Sequence, residues 1–347
     1  MASVREIAKK AGVSAATVSR ALNSHPGISA ETRRRVALAA NAAGYAMPAP
    51  AQIRCCVGLI VDNHRALTLY DCLLLNGIRR GLHAARLDVQ FVDVTRDITA
   101  DESYTSFFQS RGLRGVIIPP GSNNRRLCLA IAEEGFPSVA IAERFDEPNI
   151  NYVCCGTADA SERAIDHLIE LGHKRIGLAL PPFSDHDHRD RYEGYCRSLK
   201  SHGIELDESL IVRIDPMLEG GAAALNELLS KRQPPTAIFF ADPYPAIGAI
   251  SRAHAAGLSV PGQLSIIGFD DGRMRRQVNP MLSAVCQPTE ELGYEAGKWM
   301  AGAVDGWNKE PLQQILPATL EINQTSGVPS GEPVRIQPDG MQLFTEP

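Results

Sequence analysis

Apolar positions in the first 45 residues recur at helical spacing in short blocks. Val4, Ile7, Ala8, Val13, Val18 and Leu22 fall where two short helices, over residues 4–10 and 15–23, would share one small core across a tight turn at Ala11-Gly12-Val13. A third helix follows, with Ser29 as its N-cap, Thr32 at its third position, Val36, Leu38, Ala39 and Ala42 as its apolar side, and Gly44 as its stop. From residue 57 the pattern changes to short continuous apolar runs separated by amphipathic stretches. Strands are predicted at 57–61, 89–94, 115–118 and 138–142, with helices at 70–85 and 125–134 and another between the second and third strands. After Tyr152-Val153 the alternation repeats: helix 158–171, strand 175–180, helices 191–202 and 218–229, strand 236–240, helix 246–256 and strand 264–268. Repeated β-α units wind parallel sheets with helices on both faces. The fold class expected is therefore α/β, a small all-α helix-turn-helix domain followed by two doubly wound parallel α/β lobes.

This division gives a head at 1–47, a linker at 48–55, a two-lobed body at 56–330 and a tail at 331–347 that is expected to be loosely ordered. The lobes should exchange chain near 154–157, 286–289 and 305–312. Charge is divided in the same way. The head holds seven cations (Arg5, Lys9, Lys10, Arg20, Arg33, Arg34, Arg35) against Glu6 and Glu31, a net of +5, whereas the whole chain is at -5, which leaves -10 for the rest. A basic head on an acidic body suits a phosphate-binding module carried by a sensor. The plainer account of Arg33-Arg34-Arg35 is a solvated helix face. No run of 18 apolar residues and no signal-peptide pattern occurs, so neither a membrane span nor export is expected and the protein is placed in the cytoplasm. The eight cysteines (55, 56, 72, 128, 154, 155, 196, 286) include no Cys-x-x-Cys pair and read as buried reduced thiols.

The second helix carries the head's chemistry. Ser14 as N-cap leaves Ala15 and Ala16 in the first turn free to face base edges in a major groove, and Arg20 one turn on can take a guanine or a phosphate. Ser14, Thr17, Ser19 and Asn23 are suited to phosphate contacts that fix register. Two alanines favour thymine methyls, so discrimination should fall mainly to Arg20.

Clefts between α/β lobes bind ligands at the carboxyl ends of their strands. The loops to inspect are those after Val61, Leu180, Phe240 and Gly268, which hold Asp62-Asn63-His64-Arg65, Ser184-Asp185-His186-Asp187-His188-Arg189-Asp190-Arg191, Asp242 and Phe269-Asp270-Asp271, with Tyr70 opening the next helix. The candidate effector-binding set is His64, Arg65, Tyr70, Arg189, Arg191, Asp242 and Asp270. Together with His186 and His188, its basic members would make the cleft cationic, which suggests a sugar acid or sugar phosphate held by arginine. The alternative leaves His64 and Arg65 in solvent, with Arg189 tying its loop down. Asp185-His186-Asp187-His188 has the look of a metal motif, but without a second cluster it reads as a solvated rim loop, and neither a metal nor a cofactor is expected. No nucleophile elbow, phosphate loop or dinucleotide fingerprint appears, so an enzyme is not expected.

Ile7-Ala8, Gly12-Val13-Ser14, Thr17-Val18-Ser19-Arg20, Asn23, Ser29, Thr32-Arg33 and Gly44-Tyr45 together resemble the head of the LacI/GalR family of bacterial repressors. The resemblance extends to about residue 326 through Gly172-His173-Lys174-Arg175-Ile176-Gly177, Arg189-x-Arg191-x-x-Gly194-Tyr195, Ser265-Ile266-Ile267-Gly268-Phe269-Asp270-Asp271 and Gln287-Pro288. It implies a homodimeric repressor on a near-palindromic double-stranded operator. It also implies a sensor shaped like a periplasmic sugar-binding protein, in which Arg191 and Asp270 contact an effector, often a sugar. A purine or protein co-effector is the alternative, and the lack of a tryptophan near the cleft disfavours the purine, since Trp299 and Trp307 lie in a late helix and its exit. Three departures stand out. Asp242-Pro243 replaces the family's Asn-Asp, the loop carrying His64 and Arg65 is longer, and the hinge is short, with Tyr45 and Val57 only 12 residues apart and no leucine among Pro48-Ala49-Pro50-Ala51. Either the DNA kink is absent or Met47 or Ile53 supplies the wedge.

Overall fold

In the computed structural model of this 347-residue chain, residues 3–22, 27–43, 56–61, 67–99, 101–121, 124–182, 185–306, 308, 310–331 and 333–337 are described. The chain divides into two compact units, Met1–Cys55 and Cys56–Pro347. Asn23, Tyr45, His64, Arg65, Trp307 and the hinge from 44 to 55 lie outside the described residues.

The first unit is built from α1 (Val4–Ala11), α2 (Ala15–Leu22) and α3 (Ala30–Ala42). A reciprocal capping box opens α1. The Ser3 amide donates to Glu6 Oε2 at 2.7 Å, and the Glu6 amide donates to Ser3 Oγ at 3.3 Å. Gly12 ends α1 at φ +65°, a left-handed conformation that costs glycine little and turns the chain into α2. Ile7, Ala8, Ala11, Val18, Ala21, Leu22, Val36, Ala39 and Ala40 form the core. Leu38 departs from the expected pattern. It is 60 % exposed, and Ala40 takes the inward position, because the true stripe of α3 runs through 36, 39 and 40. Two of the three consecutive arginines serve this small core. Arg33 donates to the Ile28 carbonyl through Nε (3.1 Å) and Nη2 (2.9 Å), and Arg35 donates to the Ala11 carbonyl.

The second unit contains two six-stranded sheets. The chain order of its elements is β1 (Cys56–Ile60), α4 (Leu69–Leu82), β2 (Asp88–Val92), α5 (Val94–Asp97), α6 (Tyr104–Ser110), β3 (Leu113–Ile118), α7 (Asn124–Glu133), β4 (Ser138–Ile141), β5 (Tyr152–Gly156), α8 (Thr157–Glu170), β6 (Ile176–Leu180), α9 (His186–Ser201), β7 (Ile211–Arg213), α10 (Leu218–Ser230), β8 (Ala237–Phe240), α11 (Pro243–Ala255), β9 (Ser265–Asp270), β10 (Ser283–Cys286), α12 (Thr289–Asp305), β11 (Gln313–Pro317) and β12 (Thr319–Glu321). The first sheet runs β11-β5-β4-β3-β1-β2, with every pair parallel. The second runs β12-β10-β9-β8-β6-β7 and is parallel except where β12 meets β10. Central strands such as β6, β8 and β9 are buried along their whole length, as a sheet covered on both faces requires.

The chain passes between the sheets after β5 at 156–157, after β10 at 286–289 and after β11 at 317–319. The third passage lies beyond 305–312, because 313–317 still pairs in the first sheet with Tyr152–Gly156. Within the tail, residues 331 and 333–337 are described. Ile336 is fully buried beside α10, and its amide donates to the Leu229 carbonyl at 3.1 Å. Of the cysteines, Cys128, Cys154 and Cys155 are buried as expected, whereas Cys72 is exposed on α4.

Helices α4 and α12 touch backbone to backbone. A Cβ at Gly77 would overlap the Glu290 carbonyl oxygen, and one at Gly293 would overlap that of Leu74. Gly77→Ala should therefore force the helices apart and destabilise the second unit by about 1–3 kcal/mol. Urea unfolding followed by circular dichroism tests this, and a variant as stable as the parent would show that the contact yields freely.

Candidate DNA-reading helix and effector cleft

The two candidate sites lie on different units. On the head, α2 exposes Ala15, Ala16, Ser19 and Arg20 along one face, since 15/19 and 16/20 are each four residues apart. Ser14 Oγ accepts from the Thr17 amide at 3.1 Å and lies 2.8 Å from Thr17 Oγ1, so the hydroxyl that caps the helix also orders its first turn. No acid sits in that turn. The N-terminus of α2 thus offers free peptide N–H groups and a positive dipole end next to two small side chains, which lets a backbone phosphate or a base edge approach closely.

In the second unit, the polar groups converge at the carboxyl ends of the second sheet. After β6 the chain enters α9 at His186, five residues earlier than the pattern predicts. Asp185 caps the helix, accepting from the His188 amide at 2.9 Å. The segment read as a solvated rim loop is therefore the first turn of a buried helix, with Asp187, His188, Asp190 and Arg191 all buried. Polar residues four apart on one helix face carry an apolar pattern too weak to mark its start.

Arg191 is 3 % exposed and forms the centre. Its Nη1 donates to the Ala241 carbonyl and lies 3.5 Å from Asp242 Oδ1, and its Nη2 donates to Gln287 Oε1 at 3.3 Å and lies 3.7 Å from Asp187 Oδ2. The guanidinium carbon stands 4.0 Å from the centre of the Phe269 ring, a cation-π contact. His188 bridges two acids, with Nδ1 2.7 Å from Asp185 Oδ1 and Nε2 3.1 Å from Asp242 Oδ1. Burial alone would depress this imidazole, but Asp242 and Asp185 outweigh it and lift its pKa to about 10, so it is an imidazolium at neutral pH. Asp185 in turn falls to about 2, its burial overcome by His188.

Two other carboxyls move the opposite way. Burial pushes Asp187 up to about 7, opposed by Arg191 and assisted by Asp185. Burial pushes Asp271 up to about 6 despite its hydrogen bond from Gln287 Nε2. Tyr70, at the start of α4, brings a buried hydroxyl from the first lobe into the same field, raised well above its ordinary value by burial and then by Asp187, Asp271 and Asp185. Among the described residues, Tyr70 Oη, Asp187 Oδ1 and Arg191 Nε are buried with no hydrogen-bond partner. Beside them the Leu69 amide donates to Tyr244 Oη at 3.2 Å, joining the first lobe to α11.

The expected effector residues fare differently. Tyr70, Arg191 and Asp242 meet in this cluster. Arg189 is exposed and paired with Glu143 at 3.2 Å, beside the pair between Arg144 and Asp190, also at 3.2 Å. Both carboxylate oxygens of Asp270 are already engaged. Gly272 donates to its Oδ1 at 3.1 Å and Arg275 to its Oδ2, while the Arg275 Nε donates to Glu321 at 2.7 Å. Its neighbour Asp271 faces Gln287 and Arg191 instead, because consecutive residues leaving a strand point to opposite sides. Among the described residues, the basic groups here are engaged by acids: His188 by Asp185 and Asp242, Arg189 by Glu143, and Arg191 by Asp187 and Asp242. No group of three or more metal-ligating side chains occurs among the described residues, and none of their helices is long and apolar enough to cross a membrane. Trp299 lies on α12, where its indole donates to the Glu310 carbonyl at 2.9 Å.

A three-helix head with an exposed reading face, joined in sequence to a doubly wound two-lobed unit with buried polar groups at its strand ends, defines a DNA-binding regulator with a ligand-binding domain. Residues 3–47 match the family of bacterial regulatory proteins, lacI family, and residues 165–326 match the periplasmic binding protein-like domain. The chain is 31 % identical over 332 residues to the HTH-type transcriptional repressor CytR of Escherichia coli K12, covering 92 % of this chain and 95 % of that one. It belongs to the LacI family of transcriptional regulators. Among solved structures, a LacI transcriptional regulator from Bacillus cereus subsp. cytotoxis NVH 391-98 superposes with a TM-score of 0.70 at 28 % identity, covering 78 % of this chain and 98 % of that one. A complex of the transcriptional regulator CelR with cellobiose superposes with a TM-score of 0.68 at 25 % identity, covering 94 % of this chain and all of the other.

Proposed function

We propose that this protein is a cytoplasmic, homodimeric repressor whose affinity for a near-palindromic operator is set by a carbohydrate effector in the cleft between its lobes, with no chemical step. The observation that carries the effector half is the convergence of Tyr70 Oη, Asp187 Oδ1 and Arg191 Nε, buried and without partners among the described residues. Buried polar atoms are costly unless paired, and a polyhydroxylated ligand supplies both donors and acceptors. The cellobiose held by CelR supports the same class of ligand. A ligand that binds one arrangement of the lobes better shifts the whole equilibrium by that difference, and operator affinity shifts with it.

The DNA half rests on the exposed face of α2, where Ala15, Ala16 and Arg20 are proposed to read bases and Ser14, Thr17 and Ser19 to contact phosphates; Asn23, proposed as a further phosphate contact, lies outside the described residues. Selection of genomic fragments by the full-length protein at near-physiological salt tests it. A shared near-palindrome is expected, and salt-sensitive retention without a shared sequence would refute specific reading. On a selected site, Arg20→Ala should cost about 1–3 kcal/mol and relax discrimination at one base pair in each half-site. A uniform loss across all sequences would reduce Arg20 to a phosphate contact.

A further inference from the structure

Among the described residues, the formal charge at the floor of the cleft does not balance. Counted as ionised, the four carboxyls of Asp185, Asp187, Asp242 and Asp271 face two cations, His188 and Arg191, and the upward shift of Asp187 and Asp271 is the mark of that shortfall. Both cations are already committed: His188 spans Asp185 and Asp242, and Arg191 divides its donors among Ala241, Asp242, Gln287 and Asp187. Other arginines among the described residues of these loops serve elsewhere, Arg189 on Glu143, Arg144 on Asp190 and Arg275 on Asp270 and Glu321. Asp187 has a side chain only 5 % exposed, one oxygen 3.7 Å from Arg191 and the other without a hydrogen-bond partner among the described residues.

We infer that the effector is a polyhydroxylated molecule bearing a protonated amine, an amino sugar in chemical class, with its ammonium set against Asp187. This rests on the reading of the cleft as a carbohydrate-effector site. An ammonium brings three donors, no acceptor and the missing positive charge, whereas a hydroxyl brings one donor and no charge. A sugar acid or phosphate would add a like charge to a buried surplus of carboxylates, which is strongly unfavourable where water is excluded. Arg191 Nε and the Tyr70 hydroxyl remain for the ligand's oxygens. The position of the Asp187 carboxyl, held up by burial, agrees: a bound ammonium would drive it to ionise and release a proton.

The test is isothermal titration of the full-length protein at pH 7 with sugars matched in stereochemistry: glucosamine, glucose and glucuronate, then the corresponding galacto and manno sets. In one set the amine should bind about tenfold or more tighter than its hydroxyl parent, with no binding of the acid. In Asp187→Asn the amine and the hydroxyl parent should become equivalent. A hydroxyl parent that binds as tightly as its amine, or an acid that binds at all, would overturn the charge inference and leave the effector cleft standing. Binding by none of the nine would overturn the carbohydrate reading as well. If the variant does not fold, the matched sets on the parent protein still decide.

Discussion

Arg191→Ala should destabilise the second unit by about 3–5 kcal/mol at pH 8 and abolish any response of DNA binding to the effector. The guanidinium is almost fully buried and is shared between Asp187 and Asp242, so truncating it leaves carboxylates in a low-dielectric cluster with His188 as their one remaining cation among the described residues. Phe269 would also lose the group stacked on its face. The cost should shrink toward pH 5, where Asp187 can take up a proton, and Asp187→Asn in the same chain should recover part of it, because the two side chains interact directly. The head forms its own core, so binding to an isolated operator should outlast the loss of response. Urea unfolding of the two single variants and the double variant measures all three terms. A loss below about 1 kcal/mol for Arg191→Ala would mean that water or a movement of the lobes solvates the acids left behind.

The order of elements was legible because buried parallel strands are short apolar runs with turn residues between them, and β6, β8 and β9 are of that kind. Strands β7, β11 and β12 carry less of that signature, since each shows exposed or half-buried positions and sits toward a sheet edge. The head was legible almost residue by residue, since a small helical core leaves few ways to place Ile7, Val18 and Leu22. Leu38 misled because a leucine in a helical stretch reads as core, while the smaller Ala40 has the correct phase.

The cleft was legible as a place and not as a chemistry. Strand ends locate Arg191 and Asp242, yet the sign of the site depends on which partner each arginine meets, and those partners are distant in sequence. Glu143 reaches Arg189, and Glu321 lies 46 residues from the Arg275 that it shares with Asp270. His173 shows the same limit. It belongs to the Gly172-His173 signature, but its ring is used up by Thr236, Ser265 and the Gly327 carbonyl, so it braces the second sheet.

The surplus of buried acid should also appear in the stability of the protein without any ligand. A carboxyl whose pKa is higher in the folded than in the unfolded state costs nothing below the unfolded value, and its burden grows as pH rises toward the folded value. For Asp187 that window runs from its ordinary range near 3.8 to about 7, and Asp271 adds a second window that ends near 6. His188 acts in the same sense at higher pH, since it stabilises fully below 6.5 and loses its contribution only toward pH 10. The depressed imidazoles of His167, His173 and His186 oppose these, withdrawing stability as pH falls below 6.5. Comparing the parent with Asp187→Asn cancels most of the terms the two share. The variant should match the parent near pH 4 and exceed it by on the order of 3 kcal/mol at pH 8, where an amide has replaced a buried charge that lacks a full partner. Arg191 stays anchored in the variant by Asp242, Gln287 and the Ala241 carbonyl, so the exchange does not strand a cation. Unfolding free energies at five pH values between 4 and 8 measure the difference. A difference that stays flat across that range, or that favours the parent at pH 8, would mean that Asp187 is fully paired with Arg191 and that the cleft holds no excess of negative charge.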